Sequence, residues 1–370
     1  MWTTKRAGPT FLTLSDITMD DLHQDATVVF TAANVIQSVK AVLAAFDGAF
    51  HGARDHRRFT VAGATFNVAS NDPTYLDQAA RALATRAQTD GRKCRIVVVN
   101  AGDHACPMPL WPAKHYPERE VEALLAGTPY RLHYFPELKF WQLFDTDRAV
   151  GIQWMTDKDG APPWDSGSTL RNFVQWHLGC DTTSLLHGGT LAVSGAGILL
   201  AGEGGAGKSS TVLAGIFDGL QSVGDDYVLV DAQALTARPV FDTLKQDETG
   251  LRRLGQWGHA GISRVANWQG KYQFYMPDVV RSDLVASIAL RAIVMPTLTH
   301  GTRTSFAQVS AKDAFLALAP SGVSQIHCDR SRLFAVAARV ARTLPAYRLN
   351  LGTQPAEIVQ EIRRFIQDFT

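Results

Sequence analysis

The run Gly202-Glu203-Gly204-Gly205-Ala206-Gly207-Lys208-Ser209, followed by Ser210, carries the strongest chemical signal in this 370-residue sequence. Holding an anion with the backbone needs successive N–H groups turned inward, and side chains larger than hydrogen would crowd several of those positions. Lys208 can then reach the β- and γ-phosphates of a nucleotide as a point charge, and the Ser209 hydroxyl can sit on Mg²⁺. The apolar Gly197–Ala201 before the run reads as a buried strand, and Thr211–Phe217 after it as a helix. That helix offers unsatisfied N–H groups and the positive end of its dipole to the same anion. Strand, glycine loop and helix form the context that a phosphate-binding loop requires.

A second signal follows about one helix later, where Gly224-Asp225-Asp226 interrupts apolar sequence. Two adjacent carboxylates between apolar stretches are costly unless they meet a cation or titrate. On a strand beside the loop, one can accept a proton from an attacking hydroxyl while the other holds Mg²⁺ directly or through water. Three further candidates are His187 upstream and Lys245 and Arg303 downstream. Lys245 and Arg303 are read as phosphate or acceptor contacts. Arg303 lies in the polar stretch Thr299–Thr304 after the strand-like Ala292–Met295, a suitable place for a charge clamp.

The segment Leu185–Asp231, with its upstream His187, its loop GEGGAGKSS and its Asp225-Asp226 pair, resembles the catalytic domain of bacterial HPr kinase/phosphorylase. It looks closer still to the HPr-kinase-like proteins of peptide-modification and related biosynthetic clusters, including the lasso-peptide kinases. Looser likeness extends through Phe241–Lys245, Ala292–Thr304, Ala311–Gly322 and Ala346–Leu349, so that it covers about residues 170–350. The resemblance implies ATP and Mg²⁺ as cofactors, with Asp225 assisting deprotonation of a hydroxyl acceptor, Asp226 on the metal side and His187 near the transferred phosphate. It also raises the expectation of a homo-oligomer. The glycine-rich signature that true HPr kinases carry downstream is missing, and Glu248 is the candidate for the family's extra metal-associated glutamate. One-way kinase activity is therefore expected rather than reversible action on HPr.

The expected fold is α/β: a P-loop kinase domain of HPr-kinase type over 166–370, preceded by a smaller α/β or α+β domain over 1–165 that can recognise the acceptor. The boundary is placed in the polar, proline- and glycine-bearing stretch Thr156–Ser168. Upstream, strands are expected at 27–34, 58–68, 95–99, 130–134 and 149–155, and helices at 34–46, 76–87 and 118–125. A helix at 169–180 opens the second half. Trp141, Trp154, Trp164 and Trp176 bracket the linker and can line an interface or an acceptor groove.

Composition narrows the partners. The chain has 36 Lys plus Arg against 35 Asp plus Glu, a formal charge of +1, so no overall field favours nucleic acid. The arginines between Arg330 and Arg364 accompany Leu333, Val336, Val340 and Leu344 at helical spacing, which suits a solvated helix face rather than a nucleic-acid surface. The longest apolar runs, such as Ala192–Ala201, fall short of the roughly 20 residues of a membrane span. Met1–Phe11 lacks the apolar core of a signal peptide. The expected setting is cytoplasmic, with no membrane or nucleic-acid partner. Four scattered cysteines form no metal-knuckle spacing and are expected to be free and mostly buried. The partner is a peptide, protein or small-molecule hydroxyl acceptor. The alternatives are a P-loop nucleotide hydrolase and a non-catalytic nucleotide- or peptide-binding module. Both are separated from a kinase by substitution of Asp225.

Overall fold

The computed structural model describes residues 31–100, 118–156, 160–256, 258–280, 284–299, 301–326 and 330–369. They form a mixed α/β structure with two main sheets. Among the described residues no helix is long and apolar enough to cross a membrane.

The first sheet holds β1 (Asp55–Val61), β2 (Ala64–Ser70), β3 (Lys93–Asn100), β4 (Tyr130–Phe135), β5 (Phe140–Asp145) and β6 (Val150–Met155) in the order 1-2-3-6-5-4. β3 runs parallel to both β2 and β6, which puts it in the middle of the sheet. Its alternate residues show how the layers arise. Val97 and Val99 pack with α1 (Ala32–Ala44) and α2 (Phe46–Gly52), whereas Ile96 and Val98 pack with α3 (Pro73–Ala82) and α5 (Arg171–Leu178). A strand buried on both faces reads as the continuous apolar run IVVV. α4 (Glu118–Leu124) joins the α1 side through Val121.

Several expectations change here. Ala32–Asn34 open α1 instead of ending a strand, and residues 27–30 lie outside the described region. Residues 58–68 are two strands, because Ala62 and Gly63 take φ of 49° and 100° and close a tight hairpin. These small residues continue the alternation that suggested a single strand. The linker stretch is not uniformly exposed: Asp165, Gly167 and Ser168 are buried.

The second sheet contains β7 (Thr183–His187), β8 (Gly189–Val193), β9 (Ala196–Leu200), β10 (Tyr227–Asp231), β11 (Thr236–Pro239), β14 (Ile288–Leu298), β15 (Ser305–Val309) and β16 (Ala346–Leu351). β9, β14 and β16 are parallel neighbours and share one carboxyl-end edge. One face is covered by α6 (Lys208–Phe217) and α11 (Pro355–Gln367), the other by α9 (Ala311–Gln325) and α10 (Arg330–Thr343). Ile198 and Leu200 of β9 face the first pair, and Leu199 faces the second. Leu333, Val336, Val340 and Leu344 are buried as their spacing requires. A separate ribbon pairs β12 (Thr243–Asp247) with β13 (Lys271–Tyr275), flanked by α7 (Glu248–Arg253) and α8 (Met276–Val279).

One apolar cluster joins the two sheets, since Phe66, Phe144 and Phe173 share it with Leu185, Tyr227 and Phe241. Arg86 and Asp242 add a buried ion pair across the same boundary. Cys94 is buried, and burial pushes its thiol far up. Cys180 is exposed, and Cys106 and Cys328 lie outside the described residues.

Candidate functional site

β9 is buried at every residue and delivers the chain to the loop at the carboxyl edge of the parallel strands, the edge where open α/β sheets bind ligands. Gly202, Gly205 and Gly207 adopt φ of 140°, 83° and 97°, conformations that side-chain-bearing residues rarely take. Gly207 caps α6 without any side-chain hydrogen bond. The first-turn N–H groups of α6 therefore face the loop without a side-chain cap of their own. Lys208 folds back across the loop and donates from Nζ to the carbonyl oxygens of Gly202 and Glu203, at 2.7 and 2.9 Å. Burial lowers the Lys208 pKa, while Asp225 and Asp226 act in the opposite direction.

Asp225 and Asp226 precede β10, and their backbone is set by Gly224 (φ 146°) and by Asp226 itself (φ 65°). The Gly188 N–H donates to the Asp226 carbonyl at 3.1 Å, and the Thr190 N–H to that of Gly224 at 3.1 Å. These bonds tie the pair to the start of β8. Gly189 leaves room for it, since a Cβ there would lie 2.9 Å from Asp225 Oδ1. Asp225 is 3% exposed and hydrogen-bonds with the Ser209 hydroxyl. The segment entering β10 and the start of α6 thus meet through one carboxylate and one hydroxyl.

The two carboxylates behave oppositely. Burial, reinforced by the neighbouring Asp226 charge, pushes Asp225 up to about 6. Burial also acts to raise Asp226, but Lys245, His187 and Lys271 outweigh it and hold Asp226 below the ordinary range. Lys245 Nζ lies 3.5 Å from Asp226 Oδ2, and His187 Nε2 lies 4.0 Å from Oδ1. Strand register explains the second contact, because His187 pairs directly with Tyr227. Burial lowers His187 to about 4, with Asp226 opposing and Lys208 and Arg171 assisting, so the imidazole is neutral at pH 7. Its Nδ1 is buried without a partner.

Lys208, Ser209, Asp225, Asp226, His187 and Lys245 are therefore brought together. Arg303 is exposed on the turn before β15. Glu248 pairs with Arg252 on α7 at 2.7 Å, an ordinary i,i+4 surface pair. Three contributors lack any sequence signal. Lys271 reaches the cluster because β13 pairs with β12, Gln246 donates to Ser210 Oγ at 2.8 Å, and Arg171 donates to Tyr227 Oη at 2.5 Å.

Among the described residues no three His, Cys, Asp or Glu side chains form a ready-made metal cage. Two carboxylates and a hydroxyl beside a glycine-rich loop nevertheless suit Mg²⁺. This ion takes hard oxygen ligands and usually binds through one or two carboxylates plus phosphate and water.

No family model and no curated protein matches the chain. Among solved structures it has a weak likeness to the HPr(Ser) kinase/phosphatase from Coxiella burnetii, with 14% identity, 50% of this chain and 99% of that chain covered, and a TM-score of 0.25. A score that low carries no argument, so the functional reading rests on the geometry above.

Proposed function

We propose that the chain is an ATP- and Mg²⁺-dependent kinase that transfers the γ-phosphoryl group to a hydroxyl. The observation that carries this reading is the split pair: Asp225 buried against Ser209 and raised to about 6, Asp226 ionised beside Lys245. A carboxylate near neutrality at the mouth of a phosphate loop is suited to general-base work. A purely structural aspartate gains nothing from such a position.

In this reading, backbone N–H groups of residues 202–209 and the Lys208 ammonium hold the β- and γ-phosphates. Ser209 and Asp226 would hold Mg²⁺, which supplies charge neutralisation on the phosphate oxygens when bound. Asp225 orients the acceptor hydroxyl and takes its proton as the oxygen forms a bond to the γ-phosphorus. The bond from that phosphorus to the bridging oxygen breaks, and ADP leaves. Lys245 keeps Asp226 ionised, and neutral His187 packs beside it without adding charge. Positioning and electrostatics provide most of the rate in such transfers. Residues before about 165 would contribute acceptor recognition and those after it catalysis.

The test is incubation of pure protein with γ-labelled ATP, Mg²⁺ and a panel of serine peptides and small alcohols. Label should pass to an acceptor in the parent protein and fail to pass in Asp225→Asn. Release of label only as free phosphate across the whole panel would favour a hydrolase.

A further inference from the structure

The stretch between the two sheets runs directly against Lys245. Asp165–Gly167 form one short 3-10 turn capped by Trp164 and Ser168. The Gly167 N–H donates to the Trp164 carbonyl at 3.2 Å and the Ser168 N–H to that of Asp165 at 3.0 Å. Two side chains anchor this turn on the first half of the chain. Asp165 hydrogen-bonds with Tyr75 of α3, and Trp164 stands edge-on to Phe135, the last residue of β4, at 4.9 Å. The same turn meets the ribbon of β12 and β13 at a single rung. Lys245 and Gln273 are cross-strand partners there, and Gln273 Nε2 donates to the Ser166 carbonyl at 3.4 Å.

Gly167 touches the other member of that rung. A Cβ on residue 167 would fall 2.5 Å from Lys245 Cε and 2.6 Å from Lys245 Nζ, with Thr243 Cγ2 at 3.2 Å. This Nζ is the ammonium that stands 3.5 Å from Asp226 Oδ2. Gly167 is buried and has no positive φ, so the backbone does not call for glycine at this position. The contact with Lys245 does. What a methyl group would meet is the far end of a flexible side chain, not backbone. The turn could therefore keep its shape while the Lys245 ammonium moved by about an ångström to restore ordinary contact.

We infer that Gly167 is a positioning residue of the transfer site: the bare turn is the wall against which Lys245 lies, and it places the ammonium at Asp226. Because the turn is anchored on Tyr75 and Phe135, the first half of the chain takes part in that placement. The effect on transfer rests on the kinase reading; the placement of Lys245 by the turn does not.

Acetylation of the full chain with N-hydroxysuccinimidyl acetate, followed by peptide mass spectrometry, reads the placement without turnover. Lys245 has a side chain only 13% exposed and should react far more slowly in the parent than the exposed Lys40 and Lys93. In Gly167→Ala it should react several-fold faster, while buried Lys208 keeps its parent rate and the melting temperature stays within about 3 °C. Ser166→Ala, which adds no atom to the turn, should leave Lys245 protected. In the transfer assay Gly167→Ala should lower kcat by about tenfold or more, the scale of a small misplacement near reacting groups. ATP affinity should stay close to the parent's. Added to Lys245→Ala, the same substitution should lower kcat no further, because its only route of action is gone. Lys245 equally protected in Gly167→Ala, Lys208 exposed along with it, a variant that no longer folds, or additive losses in the double variant would each overturn the inference. A parent protein that transfers no label would remove the kinase reading, and the acetylation rates would still decide what holds Lys245.

Discussion

Lys245 stands 3.5 Å from Asp226 and leaves the adjacent Asp225 to the hydroxyl of Ser209. Neighbours in sequence thereby acquire different chemistry. Two carboxylates this close resist ionising together, and the site resolves the conflict by giving one of them a cation and burying the other. Below a pH of about 6 the proton consequently sits on Asp225, the residue facing the start of α6, while Asp226 stays ionised.

Replacing Asp225 with Asn removes the base while nearly preserving shape. Phosphoryl transfer should fall by about 10²- to 10⁴-fold, the usual contribution of a positioned base. ATP affinity should stay within about threefold, because the loop and Lys208 are untouched. Initial rates paired with equilibrium nucleotide binding would separate the two effects. A variant that transfers at the parent rate would remove Asp225 from the chemistry.

The same pair predicts a pH profile. Asp225 must be ionised to accept a proton, so transfer should decline below a pH of about 6, roughly tenfold per unit. Lys245→Met removes the ammonium that keeps Asp226 ionised, and Asp226 then competes for the same proton. The acid limb of kcat/KM should change in position in that variant, by about one unit or more. An acid limb that is superimposable in parent and variant would show that Lys245 does not govern the pair.

The loop, its flanking strand and helix, and the aspartate pair were legible because they lie within one short contiguous segment whose glycines and charges stand out in apolar surroundings. The other half of the charge cluster was not. Lys271 enters through the pairing of β13 with β12, and Gln246 meets Ser210 from 36 residues away. Arg171 meets Tyr227 across 56 residues. No local pattern encodes such meetings. β5 is not legible because Gln142 and Asp145 break up the apolar run of FWQLFD, although all six residues are buried.

Two glycines of the loop should respond differently to alanine. Gly207 has φ 97°, and a Cβ there would lie 2.8 Å from Leu351 Cδ1. Gly207→Ala should destabilise the protein by about 1–2 kcal/mol from the left-handed backbone alone. Gly204 has open space around its Cβ position and no positive φ. Gly204→Ala should therefore leave thermal stability nearly unchanged and weaken ATP binding, if that space is where phosphate lies. Melting curves with and without ATP would show both. Unchanged ATP affinity in Gly204→Ala would argue against phosphate beside residue 204.

Asp165 makes a prediction about stability rather than turnover. Burial raises it from an ordinary 3.8 to about 6, against the opposing effects of Tyr75 and Arg171. Between those values the folded chain binds a proton that the unfolded chain has lost, so this residue makes stability fall as pH rises from about 4 to 6. The gap is worth at most about 3 kcal/mol. His177 and His187, both lowered by burial to about 4, act in the opposite sense: the unfolded chain binds their protons first, and stability rises over the same window. Asp165→Asn removes one of the falling contributions and leaves the rising ones. Its stability should therefore climb more steeply than the parent's from pH 4.5 to 6.5, whatever the substitution costs at any single pH. Denaturant melts across that range measure the slope directly. Parallel curves would mean that Asp165 is already ionised in the folded protein at pH 4.5, and that the Tyr75 hydrogen bond and Arg171 outweigh its burial.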